Sequence, residues 1–369
     1  MRRLSLFCLP FLLSSAAAQG PDAKTYDEVV AKAIKYLNTT QEKNGGWSTM
    51  KSPGVTGIVL TAMFKSGKVS ATEPTRGSNT SRPGQPREEA SPARTEGTAA
   101  ELRHLGQRDG PRRRRPRRQV QGGHRRRRRV PQELQWDDGE GKTEADDYYG
   151  GAGYDSKSRR TCPTRNSSST PSRRRGVPPS DPAYKKALVF VSRCQNLKTE
   201  ANDKPWAGKI NDGSFIYTAA SGGVTKVVDA PLDDGSLPGY ASMTYAGIKS
   251  MIYCGLTKKD DRVKKAFEWI QKHYSVDKNA GMPEKRAHWG LYYYYHTMAK
   301  SLDTLGVDYV VDDKGVKHDW RKDITEALAR RQTTDGSFQN DSANWMEADQ
   351  NLVTGYALMA LSYCRPKSK

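Results

Sequence analysis

Four stretches of the chain, 55–66, 242–254, 289–305 and 351–364, are apolar around most of a helical circumference. That is the pattern of a helix enclosed by other helices. Outer segments that end in glycine-containing turns precede them. The pattern predicts helical hairpins, each an outer helix, a tight corner and an inner helix. A single hairpin cannot bury so much apolar surface, so hairpins must stack or close into a ring.

The corner has its own sequence. YLNTTQEKNGGW sets Tyr36-Leu37, Gln41, Gly45 and Trp47 at fixed offsets, and LARRQTTDGSF repeats them near the other end of the chain with Leu328, Gln332, Gly336 and Phe338. The helices after the corners align as well: Val55-Thr56-Gly57 parallels Val353-Thr354-Gly355, and Thr244 stands ten residues before Cys254 just as Thr354 stands ten before Cys364. The two cysteines are therefore repeat-equivalent, and the first copy has Ser66 at that offset, which favours a small packing residue over a metal ligand. The glycine can adopt the left-handed conformation that stops a helix. The glutamine amide is suited to backbone groups freed at the turn, and Trp47 or Phe338 can wedge between neighbouring hairpins.

Charge changes this picture in two places. The net charge of +20 is local: residues 76–131 hold 17 Arg, no Lys and five acids, and residues 159–175 add six Arg and no acid, so these stretches supply +18 of the total. A run of arginine ordinarily reads as a solvated basic linker. Here a displaced reading frame explains it better. Taken one base earlier, TCPTRNSSSTPSRRRG becomes an amphipathic inner helix, because each TCN serine codon then encodes Phe, Leu, Ile or Val. Taken one base later, HRRRRRVPQ becomes an alanine-rich helix that joins ELQWDDG in frame and restores the motif spacing at Gln135 and Gly139. ELRHLGQRDG likewise becomes a plausible inner helix.

With both frames restored the chain holds six hairpins, at about 25–67, 73–115, 124–176, 182–254, 261–306 and 320–364, and six pairs can close a ring. The expected fold is all-α, an α/α toroid over residues 19–366 that the stretches 76–131 and 159–175 interrupt. The fourth hairpin carries a Gly- and Asp-rich insertion, 199–240, with short strands expected at SFIYT and TKVVD. Nucleic-acid binding is excluded, since the basic runs lack interleaved aromatics and sit where repeats belong.

Arg2 and Arg3, the apolar run Leu4–Leu13 and Ala16-Ala17-Ala18 read as an export signal cleaved near Ala18. Its apolar run is too short for a membrane span and no later segment is long enough. A soluble, exported protein is expected. Cys162, Cys194, Cys254 and Cys364 lack the close pairing of a zinc site or a dense disulfide framework, and read as buried thiols.

The segments around Trp47 and Phe338 resemble the QW repeat of squalene-hopene cyclases and of prenyltransferase β subunits, and SMTYAGIKSMIY resembles inner helices of bacterial members. The resemblance spans about residues 25–364 and implies the toroid fold. Activity is less determined by it. The cyclases share a DxDDT motif at the start of an inner helix, where an aspartic acid protonates the polyene; the corresponding residues here, Ser52–Thr56, Tyr240–Thr244 and Gln350–Thr354, hold no acid pair. Glu144-Ala145-Asp146-Asp147 has a similar spacing but reads as a solvated loop. Prenyltransferases need Asp, Cys and His on zinc, and no Asp-x-Cys pair accompanies His288 and His296. No metal and no cofactor are expected.

The expected role is therefore binding of an apolar, isoprenoid-like ligand in the ring. WGLYYYYHTMAK puts Trp289, Tyr292, Tyr293 and His296 on one helical face, and with Tyr245 and Tyr356 these are the candidate cavity-lining residues. Two other readings compete. One is a carbohydrate-active enzyme on the same architecture, using Asp212, Asp229, Asp233 or Asp234; the other is a noncatalytic interaction module.

Overall fold

The computed structural model describes residues 20–69, 135–151 and 181–366. The export signal at 1–18, the arginine-rich stretches 76–131 and 159–175, and Cys162 lie outside the described residues.

Among the described residues there are eight α-helices: α1 (Ala23–Thr39), α2 (Pro53–Ser66), α3 (Pro182–Arg193), α4 (Ala241–Tyr253), α5 (Asp261–Lys272), α6 (Leu291–Leu305), α7 (Trp320–Arg331) and α8 (Gln350–Leu361). These residues are all-α apart from β1 (Val310–Val311), antiparallel to β2 (Lys317–His318) in the connection from α6 to α7. The expected strands in the insertion do not form. SFIYT contributes isolated bridges, Gln195 with Phe215 and Thr218 with Val224, and TKVVD runs through bends. An insertion folded around glycine turns leaves too little extended backbone for a ladder.

The helices are of two kinds. Those opening each hairpin bury one stripe: α1 buries Tyr26, Val29, Val30, Ala33, Tyr36 and Leu37, and α5 buries Val263, Ala266, Trp269 and Ile270. Asp22, Asp181, Asp260 and Asp319 cap their first turns, satisfying backbone N–H groups that have no partner in the helix. Of the helices that close a hairpin, α4, α6 and α8 are buried nearly all round, with every residue of α4 from Ala241 to Met251 buried, whereas α2, expected to be enclosed as well, buries only Val55, Val59, Ala62, Met63 and Ser66.

Packing explains the difference. Helices α2, α8, α6 and α4 lie side by side in that order as an inner row, and the outer helices cover it: α1 rests on α7 and α8, α7 on α6 and α8, and both α5 and α3 on α4. The first and last hairpins are thus neighbours. Tyr26 Oη donates to the carbonyl of Leu361 at 3.2 Å, and Ser48 Oγ donates to Asp349 Oδ1 at 3.0 Å.

One corner device joins the hairpins. Gln332 Nε2 donates to the carbonyl of Gly336 in its own turn and to that of Val29 in α1, both at 3.0 Å. Gln195 bonds Gly213 and Arg262 of α5 in the same way, and Gln135 bonds Gly150 and Ala183 of α3. Gln41 bonds Gly45 at 2.9 Å. Each of the first three amides ties its own corner to the first turns of the next outer helix. The aromatic residue two places after the glycine is then held by the inner helix: the N–H groups of Trp47, Phe215 and Phe338 donate to the hydroxyls of Thr56, Thr244 and Thr354 at 2.9–3.1 Å. All three aromatic side chains are fully buried.

Spacing alone misassigned one corner. Gly139 is not the corner glycine of its copy; its N–H bonds Asp137 within a surface turn. Gly150 takes the position, with φ +77° and a carbonyl that accepts from Gln135. A Cβ there would meet the carbonyl oxygen of Lys186, as one at Gly336 would meet that of Lys32. The corner tolerates a loop between its glutamine and its glycine, because the requirement is a left-handed residue without a side chain pressed on the next helix.

Candidate functional site

The N-terminal ends of the four inner helices converge on one cavity of about 480 Å³. Val55 and Ile58 come from α2, Met243 from α4, Tyr293 from α6, and Leu352 and Tyr356 from α8; Tyr217 and Tyr240 of the insertion and the loop Trp345-Met346-Glu347 complete the wall. The lining is mainly apolar and aromatic, the make-up of a small-molecule site. Trp289 and Trp345 meet edge to face at 6.0 Å, and Tyr293 meets Tyr356 similarly at 5.9 Å. Trp345 and Met346 both have positive φ, 55° and 66°. Backbone strain of this kind is held only where the surroundings fix it, and here it turns Trp345 toward Trp289.

Three of the six residues expected in the lining are there: Trp289, Tyr293 and Tyr356. Tyr292 instead faces the corner, with its ring 5.7 Å from Phe338 and its hydroxyl donating to the carbonyl of Gln339. Tyr245 is fully buried against Tyr294. His296 lies behind the wall, stacked on Tyr356. Adjacent helical positions differ by about 100°, so Tyr292 and Tyr293 cannot both face the cavity.

Glu347 is the group that the sequence did not reveal. It is 1% exposed and lines the cavity. Helix α6 begins at Gly290, which offers no side chain to cap it, and Glu347 supplies the cap from a distant loop: the N–H groups of Tyr293 and Tyr292 donate to it at 2.9 and 3.2 Å, and Asn340 Nδ2 donates at 2.5 Å. Burial pushes its pKa up to about 7, against the lowering effect of those donors.

Asp349 shows the opposite balance. Burial works to raise it, but the N–H of Leu352, the Ser48 hydroxyl and Lys51 together hold it below the ordinary carboxylate range. It is the N-cap of α8 and an ionised acceptor. Ser52 caps α2 in the same register.

The remaining candidates lie elsewhere. Asp229 pairs with Arg286, Asp212 bonds Ser214, Asp234 bonds Ser236, and Asp233 is exposed; none of the four lines the cavity. Asp146 pairs with Lys142 in its own loop, and Asp147 pairs with Lys204 of the insertion. His288 pairs with Asp341 at 2.9 Å in a separate polar pocket behind Trp289. Cys194 and Cys364 are buried and Cys254 is partly so. Among the described residues no group of three His, Cys, Asp or Glu side chains is placed to hold a metal ion, and no helix is long and apolar enough to cross a membrane.

Comparison of the chain with protein-family models, with curated proteins and with solved structures returns no match.

Proposed function

We propose that the chain is an exported α/α toroid of the squalene-cyclase and prenyltransferase repeat type, and that its lumen binds an apolar, isoprenoid-like molecule. The observation that carries the ligand reading is the aromatic-lined cavity where four inner helices begin. Support for the ring comes from the corners: the glutamine of the last hairpin bonds the outer helix of the first, just as interior corners bond the hairpin after them. Gly54, Gly57, Thr61 and Phe64 recur at helical spacing along an exposed face of α2, and Phe64 is 41% exposed. An inner helix with one bare face fits a ring that the restored-frame hairpins at 73–115 and 124–176 would complete.

The reading is one of binding. Glu347 is the carboxyl in the cavity wall among the described residues, and its oxygens are turned to three N–H donors as a helix cap. That geometry favours an acceptor over a proton donor. Fluorescence tests the proposal: farnesol should quench and blue-shift the emission of Trp289 and Trp345, and Ile58→Trp, which fills the cavity, should abolish binding. An unchanged emission in wild-type protein, with no isoprenoid extracted from the purified chain by mass spectrometry, would overturn it.

A further inference from the structure

Glu347 is a carboxyl enclosed in the cavity wall without a cation. It is 1% exposed, and its bonds come from neutral donors, the N–H groups of Tyr292 and Tyr293 and the Asn340 amide. The basic side chains around the cavity are committed elsewhere: Arg286 to Asp229, His288 to Asp341 and Lys51 to Asp349. Among the described residues no ion pair reaches Glu347. Two consecutive non-glycine residues at positive φ, Trp345 and Met346, deliver it to the wall, and backbone strain of that kind gathers at functional sites.

Burying a carboxylate is costly unless it is paired. The three donors and the positive end of α6 offset part of that cost, but burial outweighs them and lifts the pKa to about 7, so near neutral pH the group is only about half ionised. A carboxylate has about four acceptor positions on its two oxygens. The protein fills three of them, and one is left on a side chain that lines the cavity. Six aromatic residues share the wall: Tyr217, Tyr240, Trp289, Tyr293, Trp345 and Tyr356. The face of such a ring attracts a cation, more strongly where water is excluded. Two of them already hold one within the protein, Arg286 over Trp289 at 4.8 Å and Lys226 over Tyr217 at 4.9 Å.

We propose that the ligand of this cavity is an amphiphilic amine, a protonated primary ammonium on an alkyl or isoprenoid body, whose head donates to Glu347 while its body packs on the aromatic wall. The inference rests on the cavity being an apolar-ligand site. An alcohol with the same body can donate the same hydrogen bond, but it leaves the charge of the carboxylate unbalanced and gains nothing from the rings as a cation does. An acid is repelled by the carboxylate.

Three probes of equal chain length separate the possibilities: dodecylamine, dodecanol and dodecanoate, titrated calorimetrically into the full-length chain. At pH 8 dodecylamine should bind at least about tenfold tighter than dodecanol, as expected for a charged hydrogen bond joined to cation–π contact in an enclosed site, and dodecanoate should bind weakest. The net charge of +20 works against that order, so nonspecific attraction does not produce it. Because the ammonium binds the ionised carboxylate, its affinity should fall about tenfold from pH 8 to pH 6, through the Glu347 pKa of about 7, and binding at pH 6 should release a proton, read from the dependence of the heat on buffer. Across that range Asp349 and the Asp229–Arg286 pair stay charged, and Tyr292 and His296 stay neutral. His288→Gln, which removes the imidazole of the adjoining polar pocket, should keep the profile. Glu347→Gln should erase both the preference and its pH dependence, and if that variant fails to fold, proton release by the wild-type protein decides the matter. Equal affinity for amine and alcohol, a preference that survives Glu347→Gln, a profile lost in His288→Gln, or binding at pH 6 without proton release would each overturn the ammonium site and leave the apolar cavity standing. Failure of every probe to bind would remove both.

Discussion

The interlock between the two ends of the chain can be weighed at a single glycine. Gly336 has φ +90°, and a Cβ added there would lie 2.4 Å from the carbonyl oxygen of Lys32 in α1. Gly336→Ala should therefore incur two costs. Holding an L-residue in the left-handed region costs about 1–2 kcal/mol, and pushing α1 away from the corner should add about 1–3 kcal/mol by analogy with overpacking. Gly315 isolates the first cost, since it has φ +80° and nothing within 4 Å of a Cβ. Gly213 provides an interior corner, with φ +83° and the Lys265 carbonyl oxygen 2.5 Å away. Urea unfolding followed by circular dichroism, with a constant slope against denaturant, reads the three directly. Gly336→Ala and Gly213→Ala should each lose about 2–5 kcal/mol, and Gly315→Ala only the first part of that, about 1–2 kcal/mol. Equal losses at Gly336 and Gly315 would refute the contact between the last corner and the first helix, while leaving the interior corners untouched.

Other measurements probe the site and the corners. Glu347 has a folded pKa of about 7 against an ordinary 4.5, so the folded state holds a proton that the unfolded state has released. The contribution of Glu347 to stability should be greatest below pH 4.5 and fall by about 3 kcal/mol as pH rises to 7, the sign and size that linkage requires for a raised acid; it runs against the slope of carboxylates such as Asp349 and Asp260 that the fold lowers, so it is read as the difference between wild type and Glu347→Gln in urea titrations across that range. Thr244→Val removes the hydroxyl that accepts from the N–H of Phe215 in a fully buried setting and should cost about 1–3 kcal/mol, with Thr244→Ser recovering most of it; an unchanged midpoint would deny the corner bond. Burial pushes the Cys364 thiol up, and Cys194 is equally enclosed. Iodoacetamide on the native protein, read by mass spectrometry, should therefore label Cys254 before either of them.

Much of the fold was legible in the chain because it is written in local periods. The inner stretches 242–254 and 351–364 became α4 and α8 to within three residues, and Thr56, Thr244 and Thr354 proved to be the same structural residue three times. Gln41, Gln332, Gly45 and Gly336 stand where their spacing put them. The fourth corner lacks the motif spacing because the insertion separates Gln195 from Gly213, and in the third the spacing of four falls on Gly139 although the left-handed corner residue is Gly150. A helix period and a left-handed glycine depend on neighbours along the backbone, so sequence alone specifies them.

The site was another matter. Sequence offered six aromatic and imidazole side chains as cavity-lining, and tertiary packing chose Trp289, Tyr293 and Tyr356 for the cavity, turned Tyr292 to the corner, buried Tyr245 and set His296 behind the wall. It also brought Glu347 across more than 50 residues to cap α6. Which way a helix is rotated about its own axis is decided by the neighbours that enclose it, and an inner helix that is apolar all round carries no stripe to announce that rotation. The chain itself determined where helices begin and end; only their assembly decided which of their faces meet a ligand.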